Sequence, residues 1–133
     1  MISAVADTHA LLWFLHKDPR LSSVALSAFN NAAQAGDQVA VSSITMVEIA
    51  YLCEKSRIPH NSFDLIIRLL NQPGSMLAEI PLEQSVADSL RQVSRSQVPE
   101  MADRIIAATA LMLGVPVISR DSKITASSIA TIW

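Results

Sequence analysis

Short apolar runs alternate along the chain with longer segments in which apolar residues recur at helical spacing. The short runs predict strands over residues 2–6, 39–42, 76–80, 115–119 and 129–133. The longer segments predict helices over residues 10–16, 21–35, 44–55, 61–71, 82–93 and 101–113, with a short turn or helix over 122–127. Apolar strands that alternate with helices are typical of a parallel sheet covered on both faces. We therefore expect a three-layer α/β/α fold with a central parallel sheet.

Composition narrows the classes of protein to which the chain can belong. Its 133 residues are half apolar and 17% charged, which is enough apolar material for one folded domain over residues 1–133 and excludes disorder. The formal net charge of −2 excludes a broad basic surface, so nucleic acid would bind only through a local positive patch. The single cysteine, Cys53, excludes an internal disulfide and a cysteine-rich zinc site, and favours the cytoplasm. No apolar run is long enough to predict a membrane helix.

Two aspartates directly follow predicted strands. Asp7 comes after the strand over residues 2–6, and Asp121 after the strand over residues 115–119. Because the carboxyl ends of parallel strands share one edge of the sheet, we expect both carboxylates at that edge, where doubly wound sheets bind ligands. The alternative for each is a structural helix N-cap, since aspartate is favoured there.

Two further acids are expected near the same edge. Glu48 lies one to two helical turns after a strand end, although Thr45 and Glu48 also fit a capping box. Asp103 lies in a helix that is apolar nearly all round, where a carboxylate is unfavourable unless it is paired, hydrogen-bonded or bound to a cation. The alternatives for Asp103 are a first-turn acid favoured by the helix dipole and an ion pair with Arg104 or Arg120.

Four clustered carboxylates repel one another, and a divalent cation relieves that repulsion. Hard oxygen ligands favour Mg²⁺ or Mn²⁺ over zinc, and such a site suits phosphoryl chemistry. The sequence contains no zinc-ligand spacing, nucleophile elbow or glycine-rich phosphate loop that would indicate another chemistry. We thus interpret Asp7, Glu48, Asp103 and Asp121 as one candidate metal site.

Basic residues near these acids predict how an acidic protein holds a polyanion. Arg104 and Arg120 each neighbour one of the acids, and Lys17, Arg20 and Lys123 would extend a basic rim along the same edge. In the alternative interpretation, Arg104 and Arg120 only neutralise the carboxylates through ion pairs.

Four motifs, taken in order, resemble those of a known family. They are Asp-Thr-His-Ala-Leu-Leu-Trp at 7–13, Val-Ser-Ser-Ile-Thr-Met-Val-Glu-Ile at 41–49, Asp-Arg-Ile-Ile-Ala-Ala-Thr-Ala at 103–110 and Val-Ile-Ser-Arg-Asp at 117–121. With the closing strand over residues 129–133, they make the chain similar over its whole length to PIN-domain ribonucleases. More narrowly, it resembles the VapC-like toxins of bacterial toxin–antitoxin pairs.

This resemblance implies an endoribonuclease that depends on Mg²⁺ or Mn²⁺, with Asp7, Glu48, Asp103 and Asp121 as metal ligands. It also implies a homodimer and inhibition by a cognate antitoxin that inserts into the active-site groove. One departure concerns residues 100–104, which read Glu-Met-Ala-Asp-Arg where relatives often have Asp-Pro-Phe-Asp-Arg. Glu100 therefore replaces an auxiliary acid.

Two rival interpretations belong to other functional classes. A receiver-type signalling domain needs adjacent acids after the first strand and an acceptor aspartate after the middle one. The chain has only Asp7 at the first place and no aspartate over residues 76–81, so this rival is disfavoured. A non-catalytic PIN-like module that binds RNA or protein stays open as the alternative.

Overall fold

Five parallel strands form one sheet in the computed structural model, which describes residues 1–133. They are β1 (Ile2–Ala6), β2 (Gln38–Ser42), β3 (Leu77–Ile80), β4 (Val117–Ile118) and β5 (Thr131–Ile132). Their order in the sheet is β3-β2-β1-β4-β5. The chain thus winds outwards from β1 through β2 and β3, and then returns to the other side of β1 for β4 and β5. The switch of direction lies between β1 and β4, where doubly wound folds open a crevice.

Seven helices cover both faces of this sheet. They are α1 (Thr8–Leu15), α2 (Ser23–Ala35), α3 (Ser43–Glu54), α4 (Ser62–Leu70), α5 (Gln84–Leu90), α6 (Met101–Leu113) and α7 (Ser122–Thr125). Helices α1 to α4 pack mainly into one apolar core, and α5 to α7 into the other. Successive strand residues alternate between the two cores: Ala4 and Ala6 of β1 face the first, and Val5 faces the second. The predicted three-layer α/β/α fold is confirmed.

The predicted element order is confirmed, and the differences lie at the ends of elements. Helices α2 and α6 end at Gly36 and Gly114, which adopt the left-handed conformation expected of a C-terminal stop. Strand β4 is shorter than predicted, because Pro116 has no amide hydrogen to donate to a neighbouring strand. The Pro116 carbonyl still accepts a hydrogen bond from the amide of Val5 at 2.9 Å. No helix of the structure combines the length and apolar character needed to cross a bilayer.

The alternative interpretation of Thr45 and Glu48 as a capping box is wrong. Strand β2 passes into α3 without a loop, so the N-cap falls on the last strand residue, Ser42, whose hydroxyl accepts from the amide of Ile44 at 3.2 Å. Thr45 already lies inside the helix, and its hydroxyl is within 3.1 Å of that of Thr8. The Glu48 carboxylate is therefore not used to cap α3.

The predicted place of Arg104 on a basic rim is also wrong. Its Nη2 atom donates to the carbonyl oxygens of Leu90 and Val93, each at 2.9 Å. These bonds hold the connection between α5 and α6 against the first turns of α6. Arg104 is thus a structural residue rather than a contact for a ligand.

We expect Arg104→Met to lower the free energy of unfolding by about 2 kcal/mol, because two carbonyls lose a charged donor. Urea denaturation at neutral pH measures the change. Arg91→Met is the matched control, since the Arg91 side chain is 81% exposed, and it should change stability by less than about 0.5 kcal/mol. Equal stability of the two variants would contradict the structural role of Arg104.

Candidate active site

A cavity of about 360 Å³ opens at the carboxyl edge of the sheet, and all four predicted acids line it. Those residues are Asp7, Glu48, Asp103 and Asp121, and Glu100 joins them. No three of these side chains converge closely enough in this structure to enclose a metal ion. The fold therefore gathers the carboxylates around one cavity and spreads them along its walls.

Asp7 is fixed at the centre of this edge by helix capping. Its Oδ1 atom accepts from the amide of Ala10 at 2.8 Å, and the residue is buried. Burial raises the pKa of the Asp7 carboxyl, while the Ser119 hydroxyl and the Ala10 amide act in the opposite direction. Asp7 thus serves as the N-cap of α1 and also lines the cavity.

Asp121 repeats this arrangement at the end of β4. Its Oδ1 atom accepts from the amide of Lys123 at 2.8 Å and caps the short helix α7. Its own amide donates to the Ser119 hydroxyl at 3.0 Å, which fixes the turn that follows the strand. Capping and a place in the site are compatible for both aspartates, since each cap bond uses one carboxylate oxygen.

Glu48 reaches the cavity from α3 through a buried threonine pair. The Thr8 hydroxyl donates to Glu48 Oε1 and lies beside the Thr45 hydroxyl. Both threonines are buried, so this network fixes the glutamate against the start of α1. Sequence reasoning missed Thr8; its only signal is a hydroxyl next to Asp7 in the turn after β1.

Asp103 shows the electrostatic character of the cavity most clearly. Burial raises its pKa to about 7, and the charges of Asp121, Glu100, Glu48 and Asp7 act in the same direction. No arginine or lysine is close enough to form an ion pair with it. The expectation that Arg104 or Arg120 neutralises the acids by ion pairing is therefore wrong.

An aromatic side chain organises the rim of the cavity. Trp13 is buried, and the guanidinium groups of Arg20 and Arg120 lie 4.9 and 4.5 Å from the centre of its ring. Both arginines line the cavity, whereas Lys17 and Lys123, which were also expected on the rim, do not. Trp13 was missed as a site residue, because its role appears only when α1 and the segment after β4 are brought together.

This donor set suits a divalent cation. The lining residues offer carboxylate oxygens, which hard divalent ions prefer, and the one histidine among them, His9, has no cysteine beside it. The pKa of Asp103 is raised, and a cation bound beside the carboxylate would lower it. The side chains present therefore fit a divalent metal in their chemistry.

Comparison with known proteins agrees with this fold. A family model described as the PIN domain matches residues 4–128. The chain belongs to the PIN domain family. A PIN relative, Ribonuclease VapC22 of Mycobacterium tuberculosis (strain ATCC 25618 / H37Rv), is 28% identical over 124 residues, which cover 93% of this chain and 91% of that protein.

Solved structures share the same PIN fold. A toxin–antitoxin complex from Klebsiella pneumoniae contains a chain that is 26% identical, with a TM-score of 0.64 and coverage of 98% of this chain and 97% of that one. VapBC2 from Rickettsia felis, bound to a DNA fragment from its promoter, gives a TM-score of 0.70 at 18% identity, covering 98% and 97%. FitAcB from Neisseria gonorrhoeae gives a TM-score of 0.57 at 22% identity, covering 98% and 96%. The last two likenesses concern the fold alone.

The pKa of Asp103 predicts how stability depends on pH. Because its folded-state pKa of about 7 lies above the ordinary value of 3.8, protonation favours the folded state. This contribution to stability is complete below the unfolded-state pKa and is lost as the pH rises through about 7. We expect Asp103→Asn to remove this pH dependence and to stabilise the metal-free protein above neutral pH.

Urea denaturation in EDTA at several pH values measures this effect. Asp88→Asn is the control, because the Asp88 side chain is 69% exposed and lies on α5, outside the cavity. It should leave the pH profile as in the wild type. A profile for Asp103→Asn that runs parallel to that of the wild type would show that Asp103 does not titrate in this way.

Proposed function

We propose that this PIN domain, taken as one nuclease domain over residues 1–133, is a metal-dependent endoribonuclease and the toxin of a toxin–antitoxin pair. The observation that carries the proposal is the acid cavity, where five carboxylates face one space and none has a cationic ion-pair partner. The PIN family match and a relative named a ribonuclease support the substrate class. The substrate is single-stranded or structured RNA.

We propose Asp7, Glu48, Asp103 and Asp121 as the residues that hold the metal, with Mg²⁺ or Mn²⁺ as the ion. Their oxygen donors favour these hard cations. When bound, the cation supplies charge for the scissile phosphate and lowers the pKa of a water molecule so that it can attack phosphorus. Glu100 lines the same cavity and adds negative charge beside Asp103.

The protein's own residues contribute orientation. Cap bonds fix Asp7 and Asp121, and the Thr8 hydroxyl fixes Glu48, so three carboxylates are held by hydrogen bonds before any ligand arrives. Arg120 lines the cavity without a carboxylate partner. Its guanidinium is therefore available to a substrate phosphate. The positive charge of the guanidinium also offsets part of the negative charge of the cavity.

Partners follow from the same proposal. The Klebsiella pneumoniae structure, described as a toxin–antitoxin complex, supports the proposal that a cognate antitoxin binds this chain. We also propose that this chain forms a homodimer and that it acts on RNA in the cytoplasm. The second candidate is a non-catalytic PIN-like module that binds RNA or protein. The observation in its favour is that no three of the carboxylates converge on one point.

Cleavage of a mixed RNA pool by the purified protein tests the proposal. We expect endonucleolytic products with Mg²⁺ or Mn²⁺ and none in EDTA. Asp7→Asn and Asp121→Asn should each lower the cleavage rate by about a hundredfold or more, because each removes a charged ligand while an amide can still cap the helix.

Asp88→Asn serves as the control for the loss of one surface carboxylate and should keep full activity. Cleavage that persists in EDTA, or that is unchanged in Asp7→Asn, would contradict a metal-dependent nuclease. RNA binding by the wild type without cleavage in either metal would favour the non-catalytic alternative.

A further inference from the structure

A second cavity, of about 380 Å³, adjoins the acid cavity. The two share His9, Trp13 and Arg20 in their walls, so they lie side by side. The second cavity extends along α1 to the turn between α3 and α4. A strand that occupies the acid cavity therefore lies next to the second one.

The two cavities carry opposite charge. The acid cavity has five carboxylates against two arginines, whereas the second has Arg20 and Arg57 against Asp18 alone. Asp18 is already neutralised, because its carboxylate accepts from Arg20 Nη2 at 2.7 Å and from Nε at 3.0 Å. Arg57 has neither an ion pair nor a side-chain hydrogen bond, which leaves its guanidinium available to an anion.

Arg57 and Asp18 are both placed by unusual helix ends. Helix α3 ends in a left-handed Ser56, with φ of 54°, and the amide of Arg57 donates back to the Leu52 carbonyl at 2.9 Å. Helix α1 is likewise followed by a left-handed residue, Lys17, with φ of 52°, and the amide of Asp18 donates to the Trp13 carbonyl at 2.8 Å. These are the only non-glycine residues with positive φ, and both stand next to residues that line the second cavity. Both are left-handed helix C-terminal stops, which fix where Arg57 and Asp18 leave their helices.

Part of the wall of the second cavity is apolar. Leu52, Ile58 and Pro59 line the cavity together with the free Arg57, and His9 and His16 add two imidazoles. Apolar side chains and a guanidinium in one cavity match an unpaired nucleotide, whose base packs on apolar or aromatic groups while its phosphate takes the charge. A cavity of this size is in the range of small-ligand pockets rather than of a groove for a duplex.

We propose that the second cavity binds the nucleotide that flanks the scissile phosphate in single-stranded RNA, with its phosphate on Arg57 and its base against Leu52, Ile58 and Pro59. This inference rests on the proposed nuclease function and adds to it a preference for unpaired RNA and a place for the flanking nucleotide. The acid cavity carries out the chemistry, and the neighbouring basic cavity supplies affinity for the polyanion.

Binding of a fluorescently labelled single-stranded RNA pool of roughly ten nucleotides tests the proposal by anisotropy. The full chain is used with Mg²⁺ in an Asp7→Asn background, so that the probe is not cut. We expect Arg57→Gln to raise the Kd at least about threefold and to lower the slope of log Kd against log salt by about 0.7, the contribution of one phosphate contact. Arg57→Lys should keep the slope.

Arg91→Gln is the matched control, because Arg91 is an exposed arginine directly after α5, which packs on the other face of the sheet. This variant should leave both quantities unchanged. In the cleavage-competent chain, Arg57→Gln should raise KM for RNA and leave kcat unchanged. Thermal unfolding of each variant confirms that it is folded.

The outcomes separate this proposal from the function on which it rests. If the wild type cleaves RNA but Arg57→Gln matches it in Kd, salt slope and KM, the second cavity does not hold RNA, and a protein segment becomes its better occupant. If the wild type neither cleaves nor binds RNA with either metal, the proposed function itself fails. Arg57→Gln is also compared on single-stranded and double-stranded RNA. If the substitution weakens the binding of both by the same factor, the preference for unpaired RNA is overturned.

Discussion

Repulsion between carboxylates at one edge of a parallel sheet is the constraint on which the rest of this site depends. The strand order brings the ends of β1 and β4 together, so Asp7 and Asp121 meet at the switch point whatever the loops do. Glu48 and Asp103 then enter the same space from helices. The fold offsets this repulsion with backbone caps and a threonine hydroxyl rather than with arginine ion pairs. The pKa of Asp103 is raised to about 7, first by burial and then by the charges of the neighbouring acids.

The separation of acidic and basic surfaces follows from the same constraint. An arginine paired directly to the acids would occupy the place of a cation, and the structure instead holds its arginines at the rim over Trp13. Arg20 is also tied to Asp18, so it contributes a fixed charge at the junction of the two cavities. Positive charge thus lies on the rim of the acid cavity, unpaired with its carboxylates, where it can attract a polyanion without displacing a metal.

Sequence periodicity predicted the fold because each element carries its own signal. The apolar run of β1 and the apolar helix α6 have the predicted bounds, and Asp7 and Asp121 line one cavity because each follows a strand of the same sheet. Sequence does not show contacts between residues distant in the chain. For Glu48 the capping alternative stayed open beside its predicted place in the site, because its partner, Thr8, lies 40 positions away. Arg104 looked like a rim residue because sequence does not show that the carbonyls of the α5–α6 connection lie within its reach.

We propose that these carboxylates together hold one divalent cation, and anomalous scattering from crystals soaked in Mn²⁺ would locate it. We expect an anomalous peak inside the acid cavity, within about 2.5 Å of carboxylate oxygens from at least two of Asp7, Glu48, Asp103 and Asp121. The peak should be absent from Asp7→Asn crystals soaked in the same way. Crystals that show no peak in this cavity, at Mn²⁺ concentrations that bind elsewhere on the protein, would contradict the account.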